Sequence, residues 1–484
     1  MISHNSVISN FVWRFSERCG AQIVSFIVSI VLARLLSPSD YGVVAIMMVF
    51  TTILSIFIDS GFSTALIQAK NADDLDFSTI FYFNVASSLL LYLVLFLLAP
   101  TIAAFYKNDE MTAMIRVLGL TLLISGLKSV QTAYVSKNMI FKRFFFATLG
   151  GTLGAAVVGI GMAMAGYGAW AIIAQSLFNH AVDTIILWIT VKWRPKRQFS
   201  SQRLRELFSF GWKMLVSSLL DTIYNNLRSL IIGKVYCSED LAYYNKANSF
   251  PSLVVGNINV AIDSVLLPAM SSAQDDRVRI KSMTSRSLKV CTYLIAPLMI
   301  GLAVCSKPLI RFLLTEKWLA SAPFMIIFCI TYMFYPLHTA NLNAIKALGR
   351  SDLFLKLEIW KKTIGLIALA VSVPISAMAM GYSLLFTSVA SQVINSWPNK
   401  KLLHYGYLEQ LKDIFPSILL AVVMGGCIYP IQWFGFPDVI TLLIQVPLGA
   451  MIYIAGSKLL KLESFEYLWG IVKPILTNTC MRKG

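Results

Sequence analysis

Fourteen apolar stretches, each about as long as a bilayer is thick, fill this 484-residue chain from end to end. A hydrocarbon core about 30 Å thick takes roughly 20 residues of helix to cross. Spans of that size fall at approximately 15–36, 43–67, 79–100, 111–135, 144–165, 169–191, 211–235, 244–270, 287–305, 322–344, 363–380, 382–397, 415–433 and 438–455. An all-α polytopic membrane protein is the expected fold class. Apolar residues make up 57% of the chain and the mean hydropathy is +0.69, which excludes a water-facing globule.

Orientation follows from charge, because Lys and Arg resist transfer across the membrane and stay in cytoplasmic loops. With the N-terminus inside, the outward loops hold only four of the 41 basic residues, Lys107, Lys307, Arg311 and Lys317. Both termini are therefore expected in the cytoplasm, with the chain in a bacterial inner (plasma) membrane. A net charge of +17 raises nucleic acid as a partner, but the cations are spread over inward loops and tails rather than gathered on one domain, so none is expected. Met1 to Phe15 lacks a basic leader and no small-residue cleavage site follows, so the first span is expected to act as an uncleaved signal. The cysteines at 19, 237, 291, 305, 329, 427 and 480 show no paired metal spacing and read as small packing residues. His4, His180, His338 and His404 are scattered and read as isolated polar side chains. No Walker loop, nucleophile elbow or HExxH sequence is present, so an enzyme is not expected.

Five segments follow along the chain. They are an N-terminal six-helix bundle over 1–191, a basic cytoplasmic linker over 192–210, a second six-helix bundle over 211–400, two additional transmembrane helices over 401–455 and a cytoplasmic tail over 456–484. The linker carries Lys192, Arg194, Lys196, Arg197, Arg203 and Arg205. A weak repeat flanks it: Phe11-Val-Trp13-Arg14 opens the first span and Phe210-Gly-Trp212-Lys213 the seventh, while Arg34, Asp40 and Phe50 recur as Lys234, Asp240 and Phe250. An even number of spans separates the copies, so the two bundles form a parallel repeat, as in many transporters. In the tail, Leu459, Leu462, Phe465, Trp469 and Val472 stand near helical spacing, which suits an interfacial helix.

Function is expected where polar residues persist on one face of a span, since a lipid-facing helix has no use for them. Four spans show such faces: Arg14, Arg18, Gln22, Ser25 and Ser29 on the first; Thr51, Ser55, Asp59 and Ser63 on the second; Lys213, Ser217, Asp221, Asn225 and Arg228 on the seventh; Asn248, Ser252, Gly256, Asn259 and Asp263 on the eighth. Ser and Thr at such positions often serve only as interhelical glue. Charges cost on the order of 2.5 to 3.5 kcal/mol at a span centre and are functional candidates by default. Lys128 and Arg228 are the deepest cations; Asp221, Asp59, Asp183 and Asp263 are the deep acids. An aqueous central cavity between the two halves is expected. Arg14, Arg18, Lys128, Lys213, Asn225 and Arg228 are the candidate ligands for an anionic substrate, and Asp59, Asp221 and Asp263 the candidate sites for a coupling H+ or Na+. Gly150, Gly151 and Gly154 on the fifth span read as a helix-packing face.

Three stretches resemble the polysaccharide transport branch of the multidrug/oligosaccharidyl-lipid/polysaccharide exporter superfamily. They are Arg34-Leu-Leu-Ser-Pro-Ser-Asp-Tyr-Gly42, Asp59-Ser-Gly-Phe-Ser-Thr-Ala-Leu-Ile-Gln68 and Ala347-Leu-Gly-Arg-Ser-Asp352, with Glu316-Lys-Trp318 fitting too. The resemblance implies a Wzx-like flippase of the colanic-acid or teichuronic-acid type. Such a protein moves an undecaprenyl-pyrophosphate-linked oligosaccharide outward by alternating access, with the first two helices of each half lining the cavity. It further implies membrane lipids, a polysaccharide polymerase and a chain-length regulator as partners, and no cofactor beyond a coupling ion. Asp59 has Asn259 as its counterpart in the second half, which departs from a coupling role shared by both halves. The alternatives are a cation-coupled multidrug exporter and a non-transporting membrane scaffold of a polysaccharide synthase.

Overall fold

The computed structural model of the chain describes residues 4–59, 62–68, 72–470 and 473, with side chains described throughout these except at 4–19, 64, 210, 261 and 351. Among the described residues all regular structure is helical. One compact unit, Met1–Ala242, holds α1 (His4–Leu35), α2 (Pro38–Asp59), α3 (Phe62–Gln68), α4 (Asp74–Tyr106), α5 (Met111–Lys137), α6 (Lys142–Met164), α7 (Ala169–Thr190), α8 (Ser201–Val235) and the start of α9 (Ser238–Ser271). The other, Tyr243–Gly484, holds the rest of α9, α10 (Arg277–Val304), α11 (Ser306–Leu314), α12 (Ser321–Met333), α13 (Tyr335–Ala347), α14 (Ser351–Ser372), α15 (Ala377–Leu402), α16 (Tyr407–Ile428) and α17 (Asp438–Leu459). Among the described residues, 11 helical stretches are long and apolar enough to cross a membrane. Each expected span finds a helix, with α2 and α3 sharing the second and α12 and α13 the tenth.

Two expectations about boundaries are corrected. The break between the eleventh and twelfth spans, expected at Gly381, lies at Val373–Ser376. Pro374 has no N–H with which to continue the helical ladder, and Ser376 caps α15 by accepting the Ala379 N–H at 3.0 Å. Gly381 lies inside α15 instead, where a β-carbon would stand 3.1 Å from Ile327 of α12. Several helices also begin well before their apolar spans: α8 at Ser201 against an expected 211, α10 at Arg277 against 287, and α14 at Ser351 against 363. Hydropathy reports the lipid-matched part of a helix, whereas backbone hydrogen bonding carries the helix on through its basic first turns.

The basic stretch between the sixth and seventh spans is tied to the start of α4. Lys196 pairs with Asp74 at 2.6 Å, and Arg203 approaches Asp73 at 3.9 Å and Asp76 at 3.8 Å. The backbone N–H groups of Lys196 and Ser200 donate to Ser78 Oγ and Thr79 Oγ1 at 3.0 and 3.1 Å. Those acids cluster because Asp73 caps α4 reciprocally with Asp76: the Asp76 N–H donates to Asp73 at 3.0 Å and the Asp73 N–H to Asp76 at 3.1 Å. Next to this end, Phe77, Phe81, Val130 and Trp193 pack in one apolar cluster.

The stretch Arg34–Gly42 holds helix ends together. Asp40 accepts from the Ser37 hydroxyl and N–H at 2.6 and 3.0 Å, and its other oxygen accepts the Ala169 N–H at 3.1 Å, satisfying a donor in the first turn of α7. A β-carbon at Gly42 would lie 1.7 Å from the Ser238 carbonyl oxygen, so only glycine allows that approach of α2 to the start of α9. Ala347–Asp352 closes α13: Gly349 takes φ +70°, the Gly349 and Arg350 N–H groups donate to Lys346 and Ile345, and Arg350 grips Asp352 through two bonds of 2.9 and 2.8 Å. The glycine face of the fifth span packs on α7, where a β-carbon at Gly154 would meet the Phe178 ring at 2.6 Å. In the tail, residues 463–470 are helical and Phe465 stacks on Trp469 with centroids 6.1 Å apart; Val472 lies outside the described residues.

Candidate functional site

In the first unit, the polar face of α8 is open. Lys213, Asp221 and Asn225 are exposed and Arg228 is partly buried, while α8 packs on α2, α3 and α4. Asp59 is exposed at the end of α2. The hydroxyls of Thr51 and Ser55 donate to carbonyls of their own helix, Met48 at 3.0 Å and Thr52 at 2.9 Å, rather than gluing a neighbour. Arg14 and Arg18 lie outside the described side chains. Lys128 on α5 is brought to α7, where its ammonium donates to Asp183 at 2.8 Å. It also acts electrostatically on Asp59 and on His180. His180 therefore belongs to a charged cluster rather than standing isolated, and its Nδ1 lies 2.8 Å from the Ser176 carbonyl. The second Asp183 carboxylate oxygen and Asn179 Oδ1 are buried here with no hydrogen-bond partner.

In the second unit, the face of α9 lines a cavity of about 540 Å³. Ser252, Gly256, Asn259 and Asp263 form one wall, and Tyr332, Tyr335, His338, Asn343 and Lys346 of α12 and α13 stand across from it. Asp263 accepts from the Asn343 amide at 2.6 Å, and Asn248, one turn above the cavity, accepts from the Tyr332 hydroxyl at 3.0 Å. His338 Nδ1 lies 3.0 Å from the side-chain amide nitrogen of Asn395. This corrects the reading of His338 as isolated. Two other cavities are apolar by contrast. One lies between α14 and α15 beside Ile367, Val371 and Phe386, the other beside Phe105, Ile231 and Lys234.

Of the residues singled out by sequence, the structure places Asp59 and Lys128 in one electrostatic neighbourhood and gives Lys128 an acid partner on α7. Asp263 belongs to the second unit. The aromatic wall was missed. Phe328, Tyr332, Tyr335 and His338 recur at steps of 4, 3 and 3, with successive ring centroids 6.3, 6.1 and 6.0 Å apart. That spacing is visible in the sequence, but apolar neighbours on every side hide it. Among the described residues no group of acids, His and Cys could hold a metal ion.

A bundle of membrane-crossing helices with polar faces kept on particular helices defines an all-α multi-pass membrane protein. The chain belongs to the polysaccharide biosynthesis protein family, whose profile matches residues 31–323. It is 25% identical over 415 residues to the teichuronic acid biosynthesis protein TuaB of Bacillus subtilis, covering 84% of this chain and 85% of that one. It is also 25% identical over 323 residues to the succinoglycan biosynthesis transport protein ExoT of Rhizobium meliloti, covering 66% and 65%. The solved lipid II flippase MurJ in its inward closed conformation shares the fold, with a TM-score of 0.73 at 15% identity over 95% of this chain and 99% of that one.

Proposed function

We propose that this chain is a flippase that carries an undecaprenyl-pyrophosphate-linked oligosaccharide across the bacterial inner membrane by alternating access, for assembly of a surface polysaccharide. The observation that carries the reading is that the polar face of α9 opens on a cavity whose other wall carries Tyr332, Tyr335, His338, Asn343 and Lys346, inside a chain built of membrane-crossing helices. A helix with no polar cargo would have no reason to keep that face. Family membership agrees, as do the roles for which TuaB and ExoT are named. Both termini lie in the cytoplasm in this reading, and no covalent bond changes.

The pyrophosphate is drawn by the cations on the exposed face of α8, Lys213 and Arg228, with Asn225 between them and Arg14 and Arg18 on α1 adding to the field. A site shielded from bulk water strengthens each of these attractions. Lys128 reaches the substrate only in a state that releases it from Asp183. Asp59 and Asp221 carry the coupling H+ or Na+, with Lys128 setting the field at Asp59. The polymerase and chain-length regulator act on the product at the outer face.

Deletion of the gene, followed by analysis of lipid-linked sugars by leaflet, tests the proposal. Accumulation of an undecaprenyl-linked oligosaccharide on the inner leaflet is the expected result. Normal turnover of every such intermediate, with surface polymer still exported, would sink it.

A further inference from the structure

We infer that the cavity between α9 and α12–α13 is a sugar-binding subsite, which recognises hydroxyl groups of the glycan rather than its pyrophosphate or a coupling ion. The inference rests on the flippase reading above and assigns the glycan to particular residues.

One observation points to a ligand. Asn259 is only 8% exposed, lines the cavity, and its Oδ1 has no hydrogen-bond partner. A buried acceptor left unmade costs about 1 to 3 kcal/mol, so it calls for a donor in the functional state. The ligand that supplies this donor has polar neighbours on the same wall. Asp263, one turn further along α9, has one carboxylate oxygen held by Asn343 at 2.6 Å. Ser252 stands two turns back, and the His338 imidazole lines the wall opposite. A planar amide can both accept from and donate to neighbouring hydroxyls and a carboxylate accepts from them, while Tyr335 and His338 offer apolar ring faces against which the C–H face of a pyranose packs.

The competing ligands fit less well. Cations such as Ca2+ gather six to eight oxygens at about 2.3 to 2.6 Å. Here there is one acid in about 540 Å³, and Lys346 and His338 share the wall. A volume of that size falls instead in the range of pockets for small organic molecules, roughly 300 to 1,000 Å³. A pyrophosphate would meet the Asp263 carboxylate. Gly256 leaves the wall open at its centre, since a β-carbon there would have nothing within 4 Å.

The test uses the full chain in nanodiscs and two probes: the oligosaccharide-bearing polyprenyl pyrophosphate extracted from the host cell, and bare undecaprenyl pyrophosphate. The quantity read is the ratio of the two affinities. Wild-type protein is expected to prefer the glycosylated lipid, and Gly256→Leu, which fills the cavity, to bring the ratio down roughly tenfold towards one. Asn259→Leu should act in the same direction, and Asn259→Ser, a gentler change, should give an intermediate ratio. Wild-type protein that binds neither lipid would overturn the transport reading and the subsite with it. A preference for the glycosylated lipid that survives all three substitutions would overturn the subsite alone. Na+ binding abolished by Asn259→Leu, with the lipid ratio unchanged, would also overturn it in favour of an ion site.

Discussion

At the scale of single residues, the charge that matters most to the first unit is Lys128, because its partner was not readable from its own helix. Asp183 lies 55 positions away, on α7, and the two meet at 2.8 Å with side chains 26% and 16% exposed. Removing one member of such a pair leaves an uncompensated charge, whereas removing both does not. Lys128→Met should therefore destabilise the protein by about 2 kcal/mol, and Lys128→Met with Asp183→Asn should recover most of that loss. Thermal unfolding in detergent checks the pair, and equal melting of the single and double variants would show that the ion pair carries no such weight. Gly42 makes a second prediction at this scale. A β-carbon 1.7 Å from the Ser238 carbonyl oxygen cannot be accommodated without moving a helix end, so Gly42→Ala should lower the melting temperature clearly. The resemblance marked Gly42 as part of a motif, but its reason is a contact 196 positions away that no local pattern records.

Among the elements, the N-terminus of α4 is the piece whose role changed most between sequence and structure. The basic cytoplasmic linker read from the sequence has acids to meet there: Lys196 and Arg203 form a clasp with Asp73, Asp74 and Asp76. The Asp73 carboxyl is held below its ordinary value chiefly by the Asp76 backbone N–H, with Arg203 helping. A depressed carboxyl pKa means its stabilisation is present above the ordinary Asp value of about 3.9 and is lost as pH falls through the lower folded value. Asp73→Ala should cost about 1 kcal/mol as a lost cap. It should also speed hydrogen exchange in the first turn of α4 at neutral pH and make no difference once the carboxyl is protonated. The misplaced break at Gly381 is instructive in the same way. Gly381 inside α15 makes room for Ile327, while Pro374 and Ser376 supply the stop and the cap.

For the molecule as a whole, the prediction concerns transport. Charge reversal at Arg228, on the open face of α8, should reduce turnover of the lipid-linked oligosaccharide at least tenfold, and Asp59→Asn should make the remaining turnover indifferent to the ion gradient. Flux in proteoliposomes, with H+ and Na+ gradients imposed in turn, measures both. Unchanged flux in the Arg228→Glu protein would remove α8 as the pyrophosphate track. Undiminished gradient dependence in the Asp59→Asn protein would move the coupling elsewhere.

By itself the sequence determined the membrane environment, the approximate number and placement of the membrane-crossing helices and the faces on which polar residues are kept. These are properties of consecutive residues: roughly 20 apolar positions make a span, and a period of 3.6 makes a face. Only the tertiary structure decided what each face meets. It gave Lys128 its acid, turned the basic linker into a clasp, and set the aromatic row of α12 and α13 across from Asn259 and Asp263. Partners on different helices are chosen by packing, and packing among many apolar helices of similar composition leaves little trace along the chain.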